Sequence, residues 1–456
     1  MTEASAHEEA ATAAAHPQVP ARQVAAAVVG NALEFYDFTT YALFAAELGR
    51  TFFPSHTAFE SLMMSLLTFA VGFVGRPIGA IVIGRIGDRV GRKPAMLLSF
   101  TLMGLGMLGL VMIPPYAMIG PAAPLLLVLC RLVQGFALGG EVGPTTAFLI
   151  EAARPTSRGL VGSWQSASQS VASLVGATMG LLLAHILTPG QLDAFGWRIA
   201  FGIGALVLPF GLVLRRSLPE TLHHHEHARA TPGPGWRAQV RPVVLWLMMI
   251  MSFTTSTYVL LYMTTYASQT LHMSQADAFD ASVANGVCGV VFALLGGALS
   301  DRFGRKRVMI TCRTLFLLET FPAFVLMIRN HDALTLILAT GVISALSSAS
   351  IGVALVSVTE SLRKDVRSTG LAVVYAIGVA VFGGIAQPYV AWLIKATGSP
   401  MAPAWYMMAA ACVGIVAMTL TKETAPARLT AMVAAPSAMS ISAMKGFTTA
   451  LNPRAA

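Results

Sequence analysis

The residues that could do chemistry interrupt two long apolar runs. In the first, Asn31, Glu34, Asp37 and Tyr41 sit among small and apolar residues. At 100° per residue, Asn31, Glu34, Phe38 and Tyr41 fall on one helical stripe, with Asp37 at its border. In the second, Arg131, Gln134, Leu138 and Glu141 are spaced i, i+3, i+7, i+10. Charges at membrane depth cost roughly 2.5–3.5 kcal/mol each on the insertion scale, so both stripes must face protein or water. A guanidinium stays charged at all relevant pH and binds a carboxylate bidentately, which suits Arg131 to clamp an anionic solute. A carboxyl in a poorly solvated pocket can exchange a proton near neutrality. Glu34, Asp37 or Glu141 would carry that proton; Asp37, on the stripe's edge, is the first choice. Alternatively, Arg131 only neutralises Glu34 or Asp37 and locks the two runs together.

Other polar positions could complete a binding site. Ser163, Gln165, Ser166, Ser168 and Gln169 can hydrogen-bond a hydroxyl or carboxylate, or can glue helices together. Thr254, Thr255, Ser256 and Thr257 precede Tyr258, Tyr262 and Tyr266, which share a helix face four residues apart. The expected solute contacts are therefore Arg131, Asn31, Tyr41, Gln134, Gln165, Gln169, Tyr258 and Tyr262. In the second half, the stretch equivalent to Arg131–Glu141 offers Ser344, Ser347, Ser348 and Ser350 instead. Charged work therefore falls on the first half. Arg313 and Lys395 could add a second cation, but they lie near run ends, where snorkelling to water is expected.

These positions need helices that cross a membrane. Of 456 residues, 55% are hydrophobic and 11% charged, with mean hydropathy +0.68. So few charges could not keep that apolar surface soluble. Runs of about 20 apolar residues place twelve spans, near 22–46, 61–84, 94–113, 120–148, 159–187, 197–215, 240–268, 279–300, 307–328, 333–358, 368–395 and 404–421. The fold class is an all-α integral membrane protein. Residues 1–21 form a tail, 22–215 and 240–421 two six-helix pseudo-repeats, 216–239 a polar linker and 422–456 a second tail. The turn Gly84-Arg85-Ile86-Gly87-Asp88-Arg89-Val90-Gly91-Arg92-Lys93 returns as Gly297-Ala298-Leu299-Ser300-Asp301-Arg302-Phe303-Gly304-Arg305-Lys306, and 301 − 88 = 213 residues separate the two aspartates. Glu151 with Arg158 recurs as Glu360 with Arg367, 209 residues on. A repeat of half the chain points to a two-fold transporter.

The formal charge of +9 sits in short turns on one side of the spans. That is the positive-inside pattern and excludes a nucleic-acid face, so both termini are expected in the cytoplasm. The N-terminus lacks the pattern of a cleaved signal peptide. Cys130, Cys288, Cys312 and Cys412 are scattered singly, and His223, His224, His225 and His227 lie in the polar linker; neither set is expected to hold metal. No cofactor is expected. An enzyme would need a nucleophile–base pair or metal set, and a sensor an additional folded domain.

Twelve spans, the two-fold repeat and the charged turn in both halves resemble the major facilitator superfamily. Gly30-Asn31-Ala32-Leu33-Glu34-Phe35-Tyr36-Asp37-Phe38 and the run Arg131 to Glu141 are similar to signatures of its metabolite:proton symporter branch. Ser163-Trp164-Gln165-Ser166-Ala167-Ser168-Gln169 resembles the citrate and tricarballylate carriers of that branch. The resemblance implies two six-helix bundles around a central cavity, working by alternating access. It implies a symporter for H⁺ and a small organic anion, a di- or tricarboxylate such as citrate, working as a monomer in a bacterial-type cytoplasmic membrane. Betaine or proline, 2-oxoglutarate or shikimate are the alternative cargoes of the same machine. It also implies that Asp88 meets the start of span eleven and that Arg89 and Arg92 pair with acids such as Glu151. Asp88, Arg89, Gly91, Arg92, Asp301, Arg302, Gly304, Arg305, Glu151 and Arg158 would then form a conformational latch; pure topology signalling is the alternative.

Overall fold

The computed structural model describes residues 21–90, 92–139, 142–216, 236–362 and 367–426. Gly91 and Glu141 lie outside these residues, as do the side chains of Asp88, Arg89 and Arg92, the histidine run and nearly all of both tails.

Among the described residues every regular element is helical. The first bundle is built from α1 (Ala21–Leu43), α2 (Ala45–Phe52), α3 (Ala58–Arg89), α4 (Arg92–Met112), α5 (Ala122–Leu138), α6 (Val142–Ala152), α7 (Trp164–Ile186) and α8 (Trp197–Arg216). The second comprises α9 (Trp236–Thr265), α10 (Gln275–Phe303), α11 (Arg305–Asn330), α12 (Ala333–Ser361), α13 (Arg367–Gly378), α14 (Ala386–Thr397) and α15 (Ala402–Leu420). Eight stretches qualify as spans by length and hydropathy, and Leu97–Met112 and Ala122–Leu138 are shorter apolar helices. With α1 and α8 they complete the twelve spans. Lipid satisfies no backbone polar group, so helices with internal hydrogen bonds are the form such a sequence must take.

Two spans are broken along their length. The first span kinks at Phe44 before α2, and α13 passes through a π-helical segment, Val379–Gly383, before α14. The bundles meet mainly along α7 against α10, with α13 reaching back to α3 and α6. At the end that carries the charged turns, the crossing is close enough to demand glycine. A Cβ on Gly297 would lie 2.5 Å from the Gly159 carbonyl oxygen, and one on Gly159 the same distance from that of Gly297. Between α10 and α11, Gly304 has φ +96°, a left-handed conformation that disfavours other residues.

At the opposite end Ala45, Ala46, Leu62 and Leu66 of the first bundle pack with Val259, Leu260 and Met263 of the second. Both ends are thus closed, and the space between them is occluded.

Candidate functional site

Asp37 and Arg131, read from separate runs, come together. Arg131 Nη1 donates to Asp37 Oδ2 at 3.2 Å and to Gln134 Oε1 at 2.6 Å, while Gln134 Nε2 donates to Asp37 Oδ1 at 3.1 Å. Both charged side chains are 1% exposed. The guanidinium lies over Tyr41, 4.4 Å from the ring centroid, and 5.7 Å from the Phe38 and Phe69 centroids. Tyr41 in turn donates to the Ser65 carbonyl, 3.1 Å away. The triad is therefore a buried ion pair inside the first bundle, walled from the central space by aromatic rings. Glu34 is fully buried on the same helix.

Asn31 and Gln165 serve a different contact. Asn31 donates to Ser168 Oγ at 2.7 Å, and Gln165 Nε2 donates to Asn31 Oδ1 at 3.1 Å, tying α1 to α7.

The central space forms two connected halves. One lies among Thr39, Gln169, Ser173, Tyr258, Asn285 and Ser347. The other lies among Gln169, Thr254, Tyr258 and Tyr375. Gln169 Nε2, Ser173 Oγ and Ser347 Oγ are buried without a hydrogen-bond partner. Buried polar atoms are rarely left so, and a row of them around a cavity fits a polar solute. Of the tyrosines expected to share one face, only Tyr258 lines this space. Tyr262 packs in the apolar seal, and Tyr266 donates to the Pro400 carbonyl. The helix departs from α-geometry at Tyr266, which ends the four-residue register.

The cation next to this space is Arg76 of α3, which lies over Phe38 of its lining and belongs to none of the polar stripes. It is 3% exposed, 4.5 Å from the Phe38 ring centroid and 4.2 Å from that of Phe73. Its Nε and Nη2 are buried and unpartnered. The signal in the sequence was the lone arginine of Gly75-Arg76-Pro77, midway along an apolar span.

Arg313 corrects the snorkelling expectation. It is fully buried, with Nε and Nη2 donating to Ser252 Oγ at 3.1 and 2.7 Å and Nη2 to Ser256 Oγ at 2.7 Å. Serines on the α9 face away from the cavity draw it inward. Lys395 is exposed, as expected, with Nζ 4.0 Å from the Phe59 ring centroid across the bundle boundary.

At the second charged turn, Asp301 bridges the two bundles. Asp301 Oδ1 accepts from Gly159 N at 2.8 Å and Oδ2 from Leu160 N at 3.0 Å, where the fifth span begins in the other bundle. A helix start presents free N–H groups and a positive dipole end, so a carboxylate belongs there. Arg305 Nη1 holds Asp301 at 2.7 Å, and Arg305 Nη2 holds Glu360 at 3.1 Å. Glu423 accepts from the backbone N–H of Arg305 and Lys306 at 2.9 and 3.1 Å. Arg302 and Glu151 are exposed, and Arg158 is half-buried beside Gly159.

Hydrogen bonds to a charged group are worth about 1.5–3 kcal/mol each. Asp301→Asn, which weakens one acceptor and turns the other into a donor facing an N–H, is expected to shift the closed state roughly tenfold or more toward opening. Spin labels at the exposed positions Arg154 and Arg307 would read this as a longer inter-bundle distance. An unchanged distance distribution would leave the carboxylate no latching role.

Comparison with known proteins places this geometry. The chain matches the Major Facilitator Superfamily over residues 27–293 and again over 257–436. It is 35% identical to a citrate-proton symporter of Salmonella typhi, covering 86% of this chain and 91% of that one. It is 36% identical to the citrate-proton symporter of Klebsiella pneumoniae, covering 85% and 88%. The proline/betaine transporter of Escherichia coli K12 is 30% identical, covering 89% and 84%. Among solved structures, the proton:xylose symporter XylE bound to 6-bromo-6-deoxy-D-glucose aligns with TM-score 0.71 at 18% identity, covering 88% and 96%, a likeness of fold. The chain belongs to the major facilitator superfamily.

Proposed function

We propose that the protein is a proton-coupled symporter importing a small organic anion, a di- or tricarboxylate of the citrate or tricarballylate kind, by alternating access. The observation that carries this reading is Arg76: a buried guanidinium whose Nε and Nη2 have no hydrogen-bond partner and which has no carboxylate partner among the described residues, next to residues that line a cavity of hydroxyls and amides. An anionic cargo supplies the missing charge, and unpartnered Nε and Nη2 match a bidentate carboxylate. The likeness to two citrate-proton symporters supports the same class of cargo.

Asp37 and Arg131 then serve as the coupling pair. While Asp37 is ionised it holds Arg131. A proton on Asp37 ends that ion pair and leaves the positive charge of Arg131 uncompensated behind the aromatic wall, which favours an anion in the cavity, so proton and anionic cargo load together. The charged turns mark the cytoplasmic end, both termini lie there, and the bilayer is a bacterial-type cytoplasmic membrane. The bundles rock about the cavity as a monomer.

The likeness to proline/betaine transporters makes a zwitterion the second reading. Against it, Arg76 already covers the Phe38 and Phe73 rings that could receive a quaternary ammonium. Uptake into proteoliposomes under an imposed inward proton gradient separates the two, with citrate, tricarballylate, 2-oxoglutarate, shikimate and betaine as cargoes. Protonophore-sensitive accumulation of a di- or tricarboxylate is expected. Accumulation of betaine alone would overturn the anion reading.

A further inference from the structure

A second buried carboxylate, unused by the coupling pair, lies at the outer mouth. Glu47 sits on α2, beyond the first span's end, and is 2% exposed. Its Oε1 accepts from Gln275 Nε2 at 3.0 Å, and Gln275 begins the first turn of α10 in the other bundle. Among the described residues this is the side-chain hydrogen bond that crosses between bundles at the outer end. It stands beside the apolar seal of Ala45, Ala46, Leu62 and Leu66, so Glu47 is buried only while that seal is shut.

The surrounding charges fix which protonation state closure favours. Arg50, on the same helix, is 3.4 Å from Glu47 but only 2.5 Å from Asp193, which comes from the segment preceding α8. Asp193 therefore balances Arg50 at the rim, where both are about a third exposed, and Glu47 is left the excess negative charge of the trio. Arg50 and Asp193 are the charged groups that act on it, and α10 contributes the uncharged Gln275. Burial pushes the Glu47 carboxyl up to about 7, against an opposing effect of Arg50.

We infer that Glu47 is a proton-binding residue of the outer gate, taking up one proton from the outside as the bundles close over the cargo. Open, the carboxyl is hydrated and titrates in the ordinary range near 4.3. Closed, it is desolvated and holds its proton more tightly. The state that binds the proton better is favoured as pH falls, so acid closes the outer mouth and rising pH through about 7 releases it. A neutral Glu47 still accepts from Gln275 through its carbonyl oxygen, so the inter-bundle bond survives protonation. The significance for import rests on the proton-symport reading above, but the linkage itself needs neither cargo nor gradient.

The test uses the full-length carrier in detergent or nanodiscs, with the four native cysteines replaced by alanine. Spin labels go on Gly190→Cys and Asn330→Cys, exposed outer-end positions on opposite bundles. Distances measured without cargo at pH 8 and pH 6 give the ratio of closed to open outer mouth. That ratio is expected to rise about tenfold on acidification, the span of one proton binding with a midpoint near 7. Glu47→Gln should hold the acid ratio at both pH values. Gln275→Glu, which sets a second carboxyl against the first, should steepen the change beyond tenfold. A parent without pH dependence would overturn the inference. So would a Glu47→Gln carrier keeping the tenfold change, or, should that variant fail to fold, a Gln275→Glu carrier with the parent's slope.

Discussion

Arg76→Gln is expected to raise the KM for citrate roughly 30-fold or more while the thermal midpoint of the purified carrier stays close to the parent's. Losing one member of a desolvated charge pair costs about 2–5 kcal/mol of binding, and the pair here forms with cargo rather than within the protein. The stability side nearly cancels. The substitution gives up two cation–π contacts, each about 0.5–2 kcal/mol, and removes the burden of a buried charge that has no ion-pair partner among the described residues. Arg76→Lys keeps the charge but loses the fork and should fall between the two. Concentration-dependent uptake into proteoliposomes, paired with a thermal scan, checks both halves. A normal KM in Arg76→Gln would move the anion site elsewhere.

Arg131→Gln carries the other large effect, of the opposite kind. It leaves Asp37 buried without its partner, a loss of about 3–5 kcal/mol for a pair of this depth. The variant should therefore show a depressed thermal midpoint as well as failed accumulation. Adding Asp37→Asn removes the stranded charge, and the double variant should regain most of the stability. Because it lacks the coupling carboxylate Asp37, it should still fail to concentrate cargo against a gradient. A double variant that accumulates citrate would reduce the triad to a structural tie. A stability loss in Arg131→Gln without one in Arg76→Gln would separate a charge paired within the protein from one paired with cargo.

The fold was legible because the membrane leaves a sequence few options: apolar runs of span length, a half-chain repeat and basic turns on one side specify two six-helix bundles. The Asp37–Arg131–Gln134 triad was legible because period-3.6 stripes in two spans must meet something polar. What periodicity does not give is which polar stripe reaches the cavity. The stripe of span one turns to the bundle interior, with Phe38, Phe69 and Tyr41 between Arg131 and the central space. Arg76 belongs to no stripe: a single guanidinium in span two has no polar residue at helical spacing to mark it. Arg313 was misplaced because only packing reveals that Ser252 and Ser256 wait for it one helix away. Glu47 sits just past a span end, where charge looks ordinary until the kink at Phe44 brings it under the other bundle.

Proton-coupled entry of a carboxylate is tested most directly by trapping a pH-sensitive dye inside de-energised proteoliposomes and adding citrate outside. Protons that enter with the anion should acidify the lumen in proportion to citrate uptake, and Asp37→Asn should abolish the signal. Citrate entry with no lumenal acidification, or acidification that survives in Asp37→Asn, would contradict coupling through the buried pair.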